Sequence, residues 1–234
     1  GTDCSEAYDS GTVVTLTATA SSGSQFSGWS GGGCSGTGQC VTSMTASKTV
    51  TATFTSECGP FSDVTCDNWA NSYINAIYTA GITVGCGEGK YCASDTTTRG
   101  QIAVAIVRAL YGEDFTYTQS PYFSDVPSSH PFFKYIQKVK DAGITTVTEV
   151  YSVDAPVTRD QMAAFIIRAK YGESFTYTQT PYFSDVPATN AYFKYVQKLR
   201  DAGITTVTGT YSVDAPVTRD QMAAFLARAF LGMQ

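Results

Sequence analysis

Residues 11–20, GTVVTLTATA, and 47–55, SKTVTATFT, alternate threonine with apolar side chains. A period of two sends successive side chains to opposite faces, so each stretch reads as a β-strand with one buried face. The intervening segment SGWSGGGCSGTGQC is rich in glycine and carries Cys34 and Cys40, and it reads as a loop made rigid by a disulfide. Trp29 in that loop either plugs the core of a small sheet or offers a platform to a ligand. The core reading is preferred, because a small sheet needs a large apolar side chain to cover it.

Beyond Pro60 the period changes to that of helices, and the chain repeats itself. Residues 112–171 match residues 172–231 at 44 of 60 positions, and a more divergent copy precedes them. FSDV recurs at Phe61, Phe123 and Phe183, Gly-Ile-Thr at Gly81, Gly143 and Gly203, and Thr-Arg-x-Gln-x-Ala at Thr98, Thr158 and Thr218. Each copy predicts two helices. In the second copy, Phe132, Tyr135, Ile136 and Val139 fall on one helical face, and Gly143 supplies the left-handed residue that stops that helix. The next helix opens on a capping box, Thr158 with Gln161, repeated as Thr98/Gln101 and Thr218/Gln221. Its stripe of Met162, Phe165, Ile166 and Ala169 recurs as Met222, Phe225, Leu226 and Ala229. One helix pair cannot bury such a stripe alone. The three copies are therefore expected to share a core around a pseudo-threefold axis, with binding grooves between copies and the FTYTQ linkers extended along the bundle.

The predicted architecture is a small all-β domain over 1–56, followed by a mainly α unit of three repeats at 57–111, 112–171 and 172–234. All seven cysteines lie within the first 92 residues. Their close spacing suits the short disulfides Cys34–Cys40 and Cys86–Cys92 of an oxidising, extracellular compartment, and elimination adds Cys58–Cys66. Cys4 is left odd, with a partner expected upstream of a start that carries no signal-peptide pattern. Zinc is the rival reading of these cysteines, but no pair of CxxC knuckles is present and the only histidine, His130, is distant. No cofactor is expected. A net charge of −5 without a basic run argues against nucleic acid and anionic lipid, and no stretch approaches the ~20 apolar residues of a membrane span.

The ordered recurrence of FSDV, a helix beginning near Trp69, GIT-V-G at Gly81 to Gly85, and TRxQxA resembles the S-layer-homology domain, in three copies over residues 60–234. GTVVTLTATASSGSQFSGWSGGGCSGTGQC with TVTATF is similarly close to a bacterial surface repeat of the divergent listerial-internalin type. In that pattern a cysteine precedes the equivalent of Cys4. The first resemblance implies attachment to cell-envelope polysaccharide bearing acidic or pyruvylated sugars, held in the inter-repeat grooves by the motif arginine and by aromatic residues. Carried onto this chain, the carbohydrate-binding candidates are Trp69, Gly81, Gly85, Arg99, Arg159 and Arg219. The first copy matches best, because Pro131 and Ala191 stand opposite Trp69 and the later GITTVT loops are two residues shorter.

Each motif arginine occupies a first helical turn, where the macrodipole disfavours a cation. Compensation is expected either from an ion pair, with Asp63, Asp125 or Asp185 of FSDV or the adjacent Asp160 and Asp220, or from a ligand carboxylate clamped in bidentate fashion. Phe132 and Tyr192 are read as core rather than as sugar platforms, and His130 as a cap or a solvated side chain. No nucleophile–base pair or phosphate loop is recognisable, so a non-catalytic role is expected. The leading expectation is an extracellular module at the bacterial cell surface that anchors a larger exported protein to envelope polysaccharide. The alternative is a structural subunit that assembles with copies of itself into a lattice or filament through unpaired strand edges.

Overall fold

The computed structural model of the chain describes residues 4–21, 24–56 and 58–234. These form two compact units, Gly1–Gly59 with Thr65–Asp67, and Pro60–Val64 with Asn68–Gln234. In the first unit, β1 (Val13–Leu16) pairs antiparallel with β3 (Cys40–Ser43), and β2 (Ser24–Ser30) with β4 (Thr51–Ser56). The expected rigid loop is thus shorter than its sequence suggested. A strand runs through Trp29, and a break in register between Phe26 and Gly28 hid it from a period-two reading by turning Phe26 and Trp29 to the same side. Trp29 is half-buried, edge-on to Phe26 at 5.1 Å, with its indole N–H donating to the Gly38 carbonyl. It also lines a cleft of about 800 Å³ to which all four strands contribute. Disulfides join Cys34 to Cys40, Cys58 to Cys66 and Cys86 to Cys92, and Cys4 is an exposed free thiol.

The second unit holds six helices among the described residues: α1 (Asn71–Thr79), α2 (Arg99–Tyr111), α3 (Phe133–Asp141), α4 (Arg159–Tyr171), α5 (Phe193–Asp201) and α6 (Arg219–Phe230). The longer helices α2, α4 and α6 pack against one another, and each carries an outer helix on its flank: α3 on α2, α5 on α4, α1 on α6. The packed pairs are therefore out of step with the repeats, because each inner helix is covered by the outer helix of the following copy and the last copy closes on the first. The stripes read from the sequence form one continuous core, with Ile74, Ile106, Ile136, Ile166, Val196 and Leu226 fully buried.

Ring closure is built from main-chain groups. At the centre the Thr97 N–H donates to the Val217 carbonyl (2.8 Å), Val217 N–H to Val157 (2.9 Å) and Val157 N–H to Thr97 (2.9 Å), a cycle through all three copies. Around it, each inner helix reaches the next copy twice through arginine. The first-turn arginine meets a loop tyrosine: Arg99 with Tyr151, Arg159 with Tyr211, Arg219 with Tyr91. The last-turn arginine lies over an outer-helix tyrosine: Arg108 with Tyr135, Arg168 with Tyr195, Arg228 with Tyr73. The linkers lie extended along α3 and α5, tied down by the buried amides of Gln137 and Gln197, which bond to main-chain groups of residues 118–122 and 178–182.

The capping box forms at Thr98 and Gln101 but not in the other two copies. There the Thr158 and Thr218 hydroxyls turn to Asp160 and Asp220, whose Oδ1 atoms also accept the Gln161 and Gln221 N–H at 2.6 Å. An aspartate at the second helical position, directly before the glutamine, outcompetes the threonine as acceptor. The first copy has Gly100 at that position, where a Cβ would press into Phe132 and Val153. His130 caps through Nδ1, accepting the Phe132 N–H at 3.0 Å, as Asn190 does for Tyr192.

Two outcomes test this description. The buried Thr97 hydroxyl has no hydrogen-bond partner among the described residues, whereas Val157 and Val217 occupy the same place in the sister copies. Thr97→Val should raise unfolding stability by about 1 kcal/mol in a urea titration. Glu113 and Glu173 are each bound by an arginine, a lysine and a tyrosine. Partial burial raises their carboxyls, but the donors outweigh it and hold both at about 2, against 4.5 for a free glutamate. Their contribution to stability is complete above about pH 4.5 and is lost as the pH falls toward 2. Glu113→Gln/Glu173→Gln should lose less stability than wild type across that interval; identical acid limbs would contradict the assignment.

Candidate functional site

The first-turn arginines repeat one environment. Nε of Arg99, Arg159 and Arg219 donates to the carbonyl of Tyr151, Tyr211 and Tyr91 at 2.7, 2.7 and 2.8 Å. The tyrosine hydroxyl donates back to the arginine's own carbonyl at 3.2, 3.1 and 2.8 Å. The guanidinium lies over the tyrosine face at 4.7–4.8 Å. Burial pushes the three phenols well above their usual value, although the adjacent guanidinium pulls the other way, so each remains an O–H donor. The loop that bears the tyrosine is held in turn by the FSDV aspartate. Asp63 accepts the N–H groups of Tyr91 and Cys92, Asp125 those of Tyr151 and Ser152, and Asp185 those of Tyr211 and Ser212, all at 2.7–2.8 Å. Burial raises these carboxyls, but the N–H groups hold them below the ordinary aspartate range.

The expected Arg–Asp ion pairs are therefore replaced. Among the described residues, ion pairs form only at Glu113 and Glu173. Carbonyls and an aromatic face compensate the arginine, and the FSDV aspartate acts one step removed by fixing the loop.

The three junctions are not equal. Arg99 is covered on its second side by the Phe165 ring at 5.4 Å, and Arg159 by the Phe225 ring at 5.6 Å. The residue matching these phenylalanines in the first copy is Ala105. Arg219 has no second ring among the described residues. It is 5% exposed, and its Nη2 has no hydrogen-bond partner among the described residues. Beside it opens a cavity of about 560 Å³, walled by the loop 82–87, by Gln101, Ala105 and Arg108 of α2, by Phe132 and Tyr135, and by Arg219. The wall runs into the loop closed by Cys86–Cys92. Gly85 (φ +88°) shapes it, because a Cβ there would collide with the Lys90 carbonyl and the Phe61 ring.

Of the residues singled out in the sequence, Gly85 and Arg219 meet in this cavity. Arg99 and Arg159 sit at the sister junctions. Gly81 (φ +71°) stops α1, with Ile82 N–H returning to the Ile77 carbonyl, and a Cβ there would meet nothing. Trp69 is 56% exposed, and its indole N–H donates to Asp220 at 2.9 Å on the α6 side. Phe132, read as core, is a wall of the cavity, as are Tyr135, read as part of the same helical face, and Ala105, which sequence reasoning passed over. Aligning the chain with itself carried the signal, in the change from Phe165 and Phe225 to Ala105.

Comparison with known proteins bears on what this cavity serves. The family model of the S-layer homology domain matches residues 60–103, 122–163 and 182–223, more than half of the chain. The model of the divergent InlB B-repeat domain matches residues 1–58. An endoglucanase of Bacillus sp. (strain KSM-635) is 32% identical over 112 residues, which cover 47% of this chain and 12% of that protein. The chain thus spans a small fraction of the curated relative it matches.

Two glycines separate the wall's requirement from ordinary backbone strain. Gly81→Ala and Gly85→Ala both place a side chain at positive φ, but only the second meets main chain and an aromatic ring. Gly85→Ala should cost at least about 1 kcal/mol more in denaturant unfolding.

Proposed function

The chain belongs to the S-layer homology domain family, and we propose that it anchors a larger exported protein to an acidic polysaccharide of the bacterial cell envelope, without a catalytic role of its own. S-layer homology domains act at the bacterial cell surface as binding modules for envelope polymers. The observation that carries the finer reading is the buried Arg219, which lines the cavity and whose Nη2 has no hydrogen-bond partner among the described residues. An unmet buried donor of this kind costs about 1–3 kcal/mol, a cost that a ligand carboxylate would remove through a charge-assisted bond. Arg108, whose charge is paired with Glu113, adds a second guanidinium to the lining, and the cavity's lining residues include no carboxylate, so Arg219 is the cation left for an anion in a chain whose net charge is −5. Phe132 and Tyr135 supply the aromatic surface that the apolar face of a sugar ring prefers, and the volume lies within the usual range for small-ligand sites. The endoglucanase shares with this chain a stretch covering only 12% of its length, which supports a module carried on different cargoes.

Self-assembly is the second reading. It draws on the first unit, whose two two-stranded sheets leave strand edges unpaired among the described residues. The FTYTQ linkers support it less, because their main-chain groups are committed to Gln137, Asp141 and Lys138, and in the next copy to Gln197 and Asp201.

Retention on insoluble cell-wall sacculi, with and without their secondary polysaccharide, tests the anchor. Wild type should be retained only when the polysaccharide is present. Arg219→Gln should lose at least about tenfold in affinity, the worth of one charge-assisted contact. Arg159→Gln removes the same bonds to tyrosine at a sister junction and should keep retention. Equal loss in both variants would assign Arg219 a purely structural role, and large particles in sedimentation with no retention would favour assembly.

A further inference from the structure

Resting on that reading, we propose that only the first of the three equivalent grooves takes a ligand, and that two positions decide this: Ala105 with Gly100 in the open groove, Phe165 with Asp160 and Phe225 with Asp220 in the closed ones. The repeats supply the comparison internally. A phenylalanine at the position of Ala105 lays its ring on the incoming guanidinium, 5.4 Å from Arg99 and 5.6 Å from Arg159, and each of those rings is buried. The ring occupies the ground on which a ligand would meet the arginine, and it satisfies the cation from that side. With alanine there, Arg219 has no second ring over it among the described residues, and the space beside it is left to the cavity.

The second position acts through charge. Gly100 lies against the wall residue Phe132 and adds no charge beside the first groove. The corresponding residues at the sister grooves are Asp160, buried beside the cap of α4, and Asp220, bonded to the Trp69 indole. Each adds a negative charge to the helix start that bears the phenylalanine, which disfavours an anionic sugar there, while the phenylalanine ring covers the arginine. The longer loop points the same way. Nine residues separate Gly81 from Tyr91, against seven from Gly143 to Tyr151 and from Gly203 to Tyr211. The two extra residues, closed by Cys86–Cys92, build a wall that the sister grooves lack. Steric fit, charge and loop length thus select one groove out of three, and the chain is a monovalent anchor.

Isothermal titration with the methyl glycoside of a pyruvylated N-acetylhexosamine, alongside calorimetric melting, tests this. Wild type should bind one equivalent. Ala105→Phe should abolish uptake while melting no lower than wild type, because the ring enters space that sister copies already fill with one. Asp160→Gly/Phe165→Ala should raise the stoichiometry to two. A wild-type stoichiometry of two or three would overturn the inference and leave the anchor intact. A marked fall in the melting temperature of Ala105→Phe would overturn it without reference to any ligand. No uptake by wild type would overturn the acidic-glycan reading and this inference with it.

Discussion

The hydrogen-bond cycle at the axis, from Thr97 to Val217 to Val157 and back, is the constraint from which the rest of the second unit follows. Each copy presents one donor and one acceptor there, and neither can be satisfied inside the copy that owns it. Buried main-chain groups left unpaired are costly, so the ring must close completely. This is the opposite of an open solenoid, in which repeats can be added or lost at an end. Here the last copy supplies the missing neighbour of the first, and Tyr91 bonds to Arg219 across 128 residues of sequence.

Closure also explains why arginine and tyrosine recur where they do. A cation in the first turn of a helix is unfavourable unless its surroundings supply negative potential, and the tyrosine carbonyl and ring face do so in three places. The aspartate of FSDV then holds the loop on which the tyrosine rides. Aspartate, loop, tyrosine and arginine form a chain of support from one copy into the next, made almost wholly of main-chain contacts. Such a frame orders the arginine before any ligand arrives, so little conformational freedom remains to be lost on binding.

Much of this was legible in the sequence, and what was not has definite physical causes. Repetition, helix faces, the glycine stops and the three short disulfides follow from local rules, because period, capping chemistry and loop length are written in neighbouring residues. The partner of each outer helix is not written there. The apolar stripe of α3 would fit α2 or α4 equally well by pattern, and only closure of the ring assigns it to α2. The compensation for the arginines, weighed from the sequence as an ion pair or a ligand carboxylate, includes a partner that neither reading named, because carbonyl oxygens carry no residue identity and composition cannot reveal them. Trp69 and Gly81 stand at fixed places in a motif, and the structure shows the indole of the one donating to Asp220 and the other ending a helix. Ala105 looks unremarkable until it is set beside Phe165 and Phe225.

The open groove draws its walls from all three copies: the loop 82–87 and α2 from the first, Phe132 and Tyr135 from the second, Arg219 and Met222 from the third. A ligand seated there touches every member of the ring at the junction where the last copy meets the first. Binding is then linked to closure, because the open ring offers no such cavity and any affinity for the closed form stabilises it by mass action. The walls from α2 and α3 are already joined by a covalent linker, whereas Arg219 of the last copy is brought to them only by closure of the ring, so it is through Arg219 that a ligand in the proposed site would be coupled to closure.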